Sequence, residues 1–472
     1  MKETRKTIRF ISLLLVCAVA LTCVGYVAII RKNGTTWQNK AQNTRLNTAR
    51  VDTVQGSIYD TTGKTLAKSN AEGERSYVPD YMTRRALSHT LGGQKSMTRS
   101  GVESRFATTL LGMTDATRTD YTLQVLLGEE HRGDDITLTI SEELTAYAAS
   151  RFKMGQEGAL VLINYKTGAI LCKISLPGFE LDASMAEDDD YSYVDKVIQK
   201  RYAPGSTFKI VTLASVLKNL RGVTDMKFNC DGEWTLGGSV IHCAELAAHG
   251  ELTLKQAFVK SCNITFASLA YRIGAQALKT TAEAFAFNTT FNFEDLSLNP
   301  SYCLYRDTSD GEVIQSGFGQ GKVEVTPLHM AMISGAVANE GVMMEPKLIK
   351  KITRPDGSTV RSLTPAVYST VTDEDTCYTI AEYMYAAVNS GTGTRARISG
   401  YTDGYVCGKT GSAEVSNDKT ASTNAWYTGF LYGDEAHPYA IAVVVEGGGS
   451  GGSVAAPIAS DVMKKAIELN LY

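Results

Sequence analysis

The pattern of apolar and polar positions separates an N-terminal apolar run from a long region of mixed character. Ile8 to Ile30 is apolar except for Arg9 and small polar residues. A helix of these 23 residues, at about 1.5 Å each, is long enough to cross a bilayer. We expect a cytoplasmic tail at 1–7, a single transmembrane anchor at 8–30 and an extracytoplasmic remainder. A cleaved signal peptide is the alternative, because Ala18-Val19-Ala20 fits a cleavage site, but the apolar run continues ten residues past Ala20.

Beyond the anchor, the pattern predicts an α+β protein with an antiparallel sheet flanked by helices. Residues 56–67 predict one hairpin, and the apolar runs at 158–164 and 169–176 predict a second. Strand–turn–strand runs closed by a terminal helix favour helices packed on the faces of one sheet. The other predicted elements are strands at 136–140, 405–415, 425–432 and 439–446, and helices at 141–153, 206–219, 253–273, 327–339 and 455–470.

The predicted elements divide into two parts. Polar residues 31–50 predict a stalk, and residues 75–135 alternate short helical and turn-like stretches. We place a boundary near residue 154. This gives an extended N-terminal pedestal module at 31–154 and a second domain at 155–472.

Composition excludes several classes of protein. The chain has 472 residues, of which 43% are apolar and 21% charged, so it is neither disordered nor of low complexity. The net charge of −3 argues against a nucleic-acid partner, because such proteins usually carry a basic excess. With six histidines, no HExxH and no Cys-x-x-Cys, we expect no metal site and no cofactor.

Three short motifs are candidates for catalysis, and their context selects among several copies. Ser-x-x-Lys occurs four times, Ser-x-Asn three times and Lys-Thr-Gly twice. Ser206 follows the turn pair Pro204-Gly205 and opens an apolar helix, which exposes its hydroxyl at a helix N-terminus. Lys209 lies on the same helix face, so its amine can take the hydroxyl proton if burial keeps the amine neutral.

The other two selected copies lie further along the chain. Ser261 and Asn263 interrupt an apolar helical segment, where two polar groups need partners. Lys409-Thr410-Gly411 lies on a predicted strand, where the amine can hold a carboxylate and the glycine lets a ligand backbone approach. The remaining copies are interpreted as packing or surface features: Ser150, Ser215, Ser297, Ser416, Ser422 and Lys166. The Gly448–Gly452 sequence GxSxG is interpreted as a flexible loop, because no histidine follows it.

Ser206, Ser261 and Lys409 together resemble the active-site set of penicillin-binding proteins and serine β-lactamases. The resemblance covers most of the chain and is closest to the class B penicillin-binding transpeptidases. Gln55 and Thr61-Thr62 depart from it, since that family has basic residues there. The similar segments are GSIYDTTGKTLA (56–67), GALVLINYKTGAIL (158–171), YAPGSTFK (202–209), HGELTLKQAFVKSCNITFA (249–267), GQGKVEVTPLHMA (319–331), GKTGSAE (408–414) and AAPIA (455–459).

The resemblance implies a serine D,D-transpeptidase that cross-links peptidoglycan stem peptides ending in D-Ala–D-Ala and is acylated by β-lactams. It also implies a role for each residue. Ser206 is the nucleophile, Lys209 its base, Ser261 a proton relay and Asn263 a ligand of the substrate amide. Lys409 and Thr410 bind the terminal carboxylate, the backbone N–H groups of Ser206 and Ser412 form the oxyanion hole, and Gly411 lies beside them. Trp426-Tyr427 resembles an aromatic pair that supports the site, and core packing is the alternative.

Other interpretations remain open from the sequence. A class D-like β-lactamase shares Ser-x-x-Lys but needs neither pedestal nor anchor, a β-lactam sensor has several membrane spans, and a scaffold tolerates degraded motifs. A bifunctional class A protein is excluded, because residues 31–154 are too short for a glycosyltransferase domain.

Two further expectations concern a partner and a disulfide. Class B resemblance implies a polytopic glycan polymerase of the shape, elongation, division and sporulation (SEDS) family as partner, and small residues in the anchor permit close helix contact. Cys230 and Cys243 flank a Gly-rich turn and are a candidate disulfide outside the cell, with a reduced pair as the alternative.

Overall fold

The structure is a computed structural model that describes residues 2–38, 53–93, 100–114, 131–181, 193–236, 239–304, 308–414 and 423–471. A helix spans Lys2–Gln38 and contains the predicted anchor, and its side chains from Phe10 to Tyr26 are exposed. Within the described residues, no helix contains a stretch long and apolar enough to cross a membrane. Ser416 and Ser422 lie outside the described residues.

The pedestal module consists of short strands and short helices. The hairpin predicted at 56–67 is confirmed, since Ile58 pairs with Ala67. The helix predicted at 141–153 spans Glu142–Ala149, and the Ser141 hydroxyl caps it by accepting from the Leu144 N–H. Its other helices are Tyr81–Ala86, Ser88–Leu91, Val102–Arg105 and Ala107–Leu110, and its strands are Thr53–Val54, Ile58–Tyr59, Thr65–Ser69, Arg75–Tyr77, His131–Arg132 and Asp135–Leu138.

A six-stranded mixed sheet joins the pedestal to the second half of the chain. Asp135–Leu138 pairs in parallel with Ile58–Tyr59 on one side and antiparallel with Ile349–Thr353 on the other. Its strand order is Thr359–Ser362, Ile349–Thr353, Asp135–Leu138, Ile58–Tyr59, Thr65–Ser69 and Arg75–Tyr77. The predicted boundary near residue 154 stays a prediction, but the sheet on its N-terminal side takes two strands from beyond it.

A buried ion pair lies at the start of the pedestal hairpin. The Arg75 guanidinium contacts the Glu103 carboxylate at 2.8 Å, and both side chains are buried. The same guanidinium donates to the Gly56 carbonyl at 2.8 Å. Arg75 therefore links Gly56, at the start of the hairpin, to the helix that contains Glu103.

The five-stranded sheet confirms the predicted antiparallel sheet flanked by helices. Its order is Tyr405–Glu414, Thr423–Tyr432, Tyr439–Val445, Gly158–Asn164 and Ile170–Leu176, and every neighbouring pair is antiparallel. The wholly buried helix Pro327–Ala338 packs on one face. Glu142–Ala149 and the terminal helix Ala455–Glu468 pack on the other. Tyr405–Glu414, which we call the KTG strand, lies at an edge of this sheet.

The helix predicted at 253–273 is wrong in one respect, because the chain breaks at the Ser-Cys-Asn sequence. Leu254–Val259 ends before it and Asn263–Ala284 begins after it. Ser261 has φ +58, which a continuous helix does not allow. The other helices are Lys209–Asn219, Asp310–Ser316 and Glu374–Ser390, with 3₁₀ turns at Gly205–Phe208, Val223–Asp225, Ala244–Leu246 and Thr394–Ala396, and the other strands are Lys227–Cys230, Glu233–Leu236, Ser239–His242, Gly250–Thr253, Val342–Met344 and Val367–Thr370.

Candidate active site

Ser206 lies in a tight turn that packs against the KTG strand. The 3₁₀ turn Gly205–Phe208 leads directly into the helix Lys209–Asn219. Gly205 has φ +54, and a Cβ there would lie 2.9 Å from the Ser412 carbonyl oxygen. Glycine therefore allows the turn to approach the strand closely, and the Ser206 side chain remains partly exposed.

The Lys209 amine is the centre of the hydrogen-bonding network. Its Nζ lies 3.0 Å from Ser206 Oγ, 2.8 Å from the Ser261 carbonyl, 3.2 Å from Ser261 Oγ and 2.7 Å from Asn263 Oδ1. The side chain is fully buried, and this burial lowers the pKa of Lys209 to about 7. A neutral amine has a lone pair that can accept the Ser206 hydroxyl proton, and its two N–H groups suffice for the two shortest contacts, the Ser261 carbonyl and Asn263 Oδ1.

Ser261 connects the two lysines of the site. Its Oγ accepts from Lys209 Nζ and from Lys409 Nζ, the latter at 2.9 Å. The Lys409 amine is also buried and donates to the Thr410 carbonyl at 3.0 Å. Burial, followed by the nearby Lys209 charge, lowers the pKa of Lys409 well below its usual range. Ser261 can therefore pass a proton between two amines that are both poised to release one.

Asn263 makes its described contacts within the protein. Its Oδ1 accepts from Lys209 and its Nδ2 donates to the His242 carbonyl at 3.0 Å. Its amide therefore orients the Lys209 amine and ties the turn to the strand Ser239–His242. One Nδ2 hydrogen remains available for the substrate amide that the sequence assigned to this residue.

The three residues that follow Lys409 on the KTG strand lie in different surroundings. The Thr410 hydroxyl lies 2.6 Å from the Thr392 hydroxyl. A Cβ at Gly411 would lie 2.8 Å from the Pro204 carbonyl, so the close approach at this glycine is made by the chain's own backbone. Ser412 is exposed, and its Oγ accepts from the Gly451 N–H at 3.3 Å.

The two aromatic residues of the next strand face opposite sides of the sheet. Trp426 Nε1 donates to the Ala203 carbonyl at 3.1 Å, and its ring packs edge-on against Tyr202. It therefore holds the chain just before Ser206. Tyr427 lies in the core on the other face, and its buried hydroxyl has no hydrogen-bond partner among the residues that the structure describes. Trp426 supports the site, whereas Tyr427 fills the core.

Two parts of the site were not found from the sequence. Thr392 lies in the Gly-rich sequence that follows the helix Glu374–Ser390, and no motif marks it. A Cβ at Gly451 would lie 2.1 Å from the Trp426 carbonyl and 2.3 Å from the Gly411 carbonyl. The Gly448–Gly452 segment, interpreted as a flexible loop, is thus packed against the KTG strand.

The described motif copies that were set aside are packing or surface features. Ser215 is buried in its helix and donates to the Ala277 carbonyl. Ser150 ends a helix at the surface, and Ser297 accepts from Arg105. Lys166 lies in a hairpin turn that Asn164 closes. These contacts confirm the interpretation given to each residue.

The predicted disulfide does not form in this structure. The Sγ atoms of Cys230 and Cys243 are 3.6 Å apart, whereas a disulfide bond is about 2.05 Å long. Both are free thiols, as are the other cysteines of the described residues. A third thiol, that of Cys262, lies 3.7 Å from Cys243 Sγ, so the pair is part of a larger cluster.

Comparison with known proteins identifies the family. Residues 158–464 match the model of the penicillin binding protein transpeptidase domain. The peptidoglycan D,D-transpeptidase PbpA of Mycolicibacterium smegmatis is 28% identical over 379 residues, which are 72% of this chain and 74% of that protein.

Solved structures agree with the sequence relatives. The ceftriaxone acyl-enzyme of penicillin-binding protein A from M. tuberculosis has a TM-score of 0.79 at 25% identity and covers 89% of this chain and 100% of its own. A D,D-transpeptidase domain from Eggerthella lenta has a TM-score of 0.76 at 30% identity, covering 89% and 99%. The chain therefore belongs to the penicillin-binding protein transpeptidase family, as a class B penicillin-binding protein. The family and the class of enzyme expected from the sequence, a D,D-transpeptidase, are confirmed.

Proposed function

We propose that this chain is a membrane-anchored serine D,D-transpeptidase that cross-links peptidoglycan stem peptides through an acyl-enzyme on Ser206. The observation that carries the proposal is the 3.0 Å contact between Lys209 Nζ and Ser206 Oγ, made by an amine whose burial lowers its pKa to about 7. A nucleophile beside a base that is neutral near physiological pH is the requirement for acyl transfer.

In the acylation step, Ser206 Oγ forms a bond to the carbonyl carbon of the penultimate D-Ala, and Lys209 takes the hydroxyl proton. The backbone N–H groups of Ser206 and Ser412 are the proposed oxyanion hole for the resulting negative charge. The C–N bond then breaks, Ser261 donates a proton to the leaving D-Ala amine, and the Lys209 ammonium returns a proton to Ser261. In the second step a stem-peptide amine attacks the ester carbonyl carbon, the C–Oγ bond breaks, and a proton of the amine passes through Lys209 to Ser206 Oγ.

The terminal carboxylate of the donor peptide, or that of a β-lactam, is the proposed ligand of Lys409 and Thr410. Among the described residues, no carboxylate pairs with Lys209 or Lys409, so two buried amines lack a counter-charge. A bound carboxylate supplies it and raises the pKa of Lys409 towards its usual range. The Thr392 hydroxyl, at 2.6 Å from that of Thr410, extends this carboxylate site.

We propose that residues 8–30 anchor the chain in the cell membrane by a single span, with residues 1–7 in the cytoplasm and the pedestal and catalytic domain outside. The apolar run of 23 residues supports this proposal. A polytopic SEDS-family glycan polymerase is the proposed partner, because tethering raises the local concentration of the active site near nascent glycan strands.

Covalent labelling of the full chain in detergent with a fluorescent penicillin tests the proposed function. We expect one label per chain on a peptide containing Ser206, and none in Ser206→Ala. Ser215→Ala is the matched control, since Ser215 belongs to a second Ser-x-x-Lys sequence on the same helix, and it should label like the parent chain. Label that persists in Ser206→Ala would contradict the proposal.

A further inference from the structure

Three thiols and one imidazole meet beside the Ser261–Asn263 turn. One donor atom from each lies within 4.8 Å of all the others. The three cysteines are buried and the histidine is partly buried. The donors come from four separate places: Cys230 at the end of the strand Lys227–Cys230, Cys243 after the strand Ser239–His242, His249 before the strand Gly250–Thr253, and Cys262 at the start of the helix Asn263–Ala284.

Three of the six distances between the donors fit the edges of a metal-centred tetrahedron, and the other three are no longer than 4.8 Å. Cys230 Sγ lies 3.6 Å from Cys243 Sγ and 3.3 Å from His249 Nδ1, and Cys243 Sγ lies 3.7 Å from Cys262 Sγ. A tetrahedral ion about 2.3 Å from each sulfur and about 2.0 Å from a nitrogen separates its donors by about 3.5–3.8 Å. A Cys230–Cys243 disulfide would not explain why the Cys262 thiol and the His249 imidazole lie at the same place.

We propose that Cys230, Cys243, His249 and Cys262 bind one Zn²⁺ ion as a closed structural site. Thiolate and imidazole donors select zinc over the hard cations Mg²⁺ and Ca²⁺. Binding releases the three thiol protons and forms three Zn–S bonds and one Zn–N bond. Because all four positions are filled by the protein, the ion has no open position for substrate or water.

Surrounding hydrogen bonds hold the donors in place. Cys262 Sγ accepts from the Thr265 N–H at 3.4 Å and from the Thr265 hydroxyl at 3.2 Å, and both bonds favour a thiolate. The backbone N–H of His249 donates to the Cys230 backbone carbonyl at 3.0 Å, which keeps the His249 imidazole beside the Cys230 thiol. The Cys243 N–H donates to the Gly232 carbonyl at 3.0 Å.

The ion would fix the turn that presents Ser261 to the two lysines, a consequence that rests on the proposed function. Cys262 lies between Ser261, whose φ of +58 is strained for a residue with a side chain, and Asn263. Asn263 also bonds the carbonyl of His242, the residue before Cys243. Through Cys230 and Cys243, zinc therefore ties the strands Lys227–Cys230 and Ser239–His242 to the Ser261–Asn263 turn. Loss of the ion should displace the Ser261 hydroxyl.

Metal content of the full chain, purified in detergent without chelator, tests the site directly. By inductively coupled plasma mass spectrometry, we expect about one zinc per chain in the parent protein. Cys230→Ala and His249→Ala should each hold at least tenfold less. His249→Cys supplies a fourth thiolate and should retain zinc. Cys303→Ala, which removes a buried thiol outside the cluster, is the matched control and should also retain it.

A second readout needs no variant. Exchange of the ion for Co²⁺ should give the intense visible bands of a tetrahedral site and a sulfur-to-cobalt charge-transfer band. Chelation should slow penicillin labelling of Ser206 at least tenfold, and added zinc should restore it. Zinc content that His249→Ala and Cys230→Ala leave unchanged, or a parent chain without zinc whose mass shows an oxidised cysteine pair, would overturn the site. Zinc binding without penicillin labelling would instead contradict the proposed function alone.

Discussion

Lys209 and Lys409 share one hydroxyl group, with their amines 3.2 and 2.9 Å from Ser261 Oγ. Both amines are buried, and burial lowers both pKa values. Two ammonium groups so close together repel each other. Without substrate, the site therefore disfavours the state in which both lysines are protonated. Ser261 is the short path along which a proton can pass between them.

The low pKa of Lys209 predicts how acylation depends on pH. The base is neutral above about 7, so the rate of penicillin labelling should rise with pH up to that value and then level off. Below it, the rate should fall about tenfold for each pH unit, because the neutral fraction does. Stopped-flow labelling over pH 5–9 measures the profile.

Lys209→Met separates this base from other titrating groups. We expect labelling to slow by about 100- to 10,000-fold and to lose the rise near pH 7. Lys218→Met, an exposed lysine at the end of the same helix, should keep both rate and profile. A rise near pH 7 that survives in Lys209→Met would assign it to another group.

Trp426→Phe tests the contact between the central sheet and the turn before Ser206. Phenylalanine keeps an aromatic ring but is smaller and cannot donate to the Ala203 carbonyl, so the substitution costs about 1 kcal/mol for the lost hydrogen bond and more for the space left in the core. We expect penicillin labelling to slow by about fivefold. Tyr427→Phe removes a hydroxyl on the other face that has no partner within the described part of the chain, and it should leave the rate unchanged. Equal effects of the two substitutions would refute the distinction.

The acyl-enzyme should react with amines much faster than with water. Among the described residues, no carboxylate contacts Ser206, Lys209 or Ser261, so no second base is in place to activate a water. We expect steady-state nitrocefin hydrolysis to be at least about a thousandfold slower than acylation. A hydrolysis rate that matches acylation would favour the β-lactamase alternative.

Exchange of the anchor tests the proposed polymerase partner. When an unrelated single-span helix replaces residues 1–30, we expect copurification with the glycan polymerase to fall at least tenfold, because helix contacts are lost. Penicillin labelling in detergent should not change, and it is the control for folding. If the chimera copurifies and supports growth like the parent chain, the helix is only a tether and contact lies in residues 31–154.

Local patterns predicted most of the fold, because they reflect periodic burial. The strands Thr423–Tyr432 and Tyr439–Val445 and the helix Pro327–Ala338 lie within a few residues of their predicted bounds. The break at Ser261 was missed because apolar residues continue across it, from Phe258 to Ile264. No periodic signal marks a turn that tertiary contacts impose.

Features that depend on distant residues could not be predicted. The contact between Thr392 and Thr410 joins the Lys-Thr-Gly strand to the Gly-rich segment after the helix Glu374–Ser390, and that segment carries no motif. The cluster that includes Cys230 and Cys262 has no short metal-binding spacing, so an expectation based on Cys-x-x-Cys and HExxH overlooked it. The three motifs selected by their context nevertheless lie together in the structure, at Ser206, Ser261 and Lys409, and their catalytic roles stay a prediction.

The pairing of Asp135–Leu138 with Ile349–Thr353 draws a segment from the second half of the chain into the pedestal sheet, before the chain goes on to the KTG strand Tyr405–Glu414. Residues 139–348 leave one strand of the six-stranded sheet and return on its neighbour. A truncation that starts at residue 155 would expose the edge of Ile349–Thr353 and invite association between chains. A displacement of this sheet would reach the second half of the chain through three backbone connections, after Leu138, before Ile349 and after Ser362, and the last of these leads on to the KTG strand.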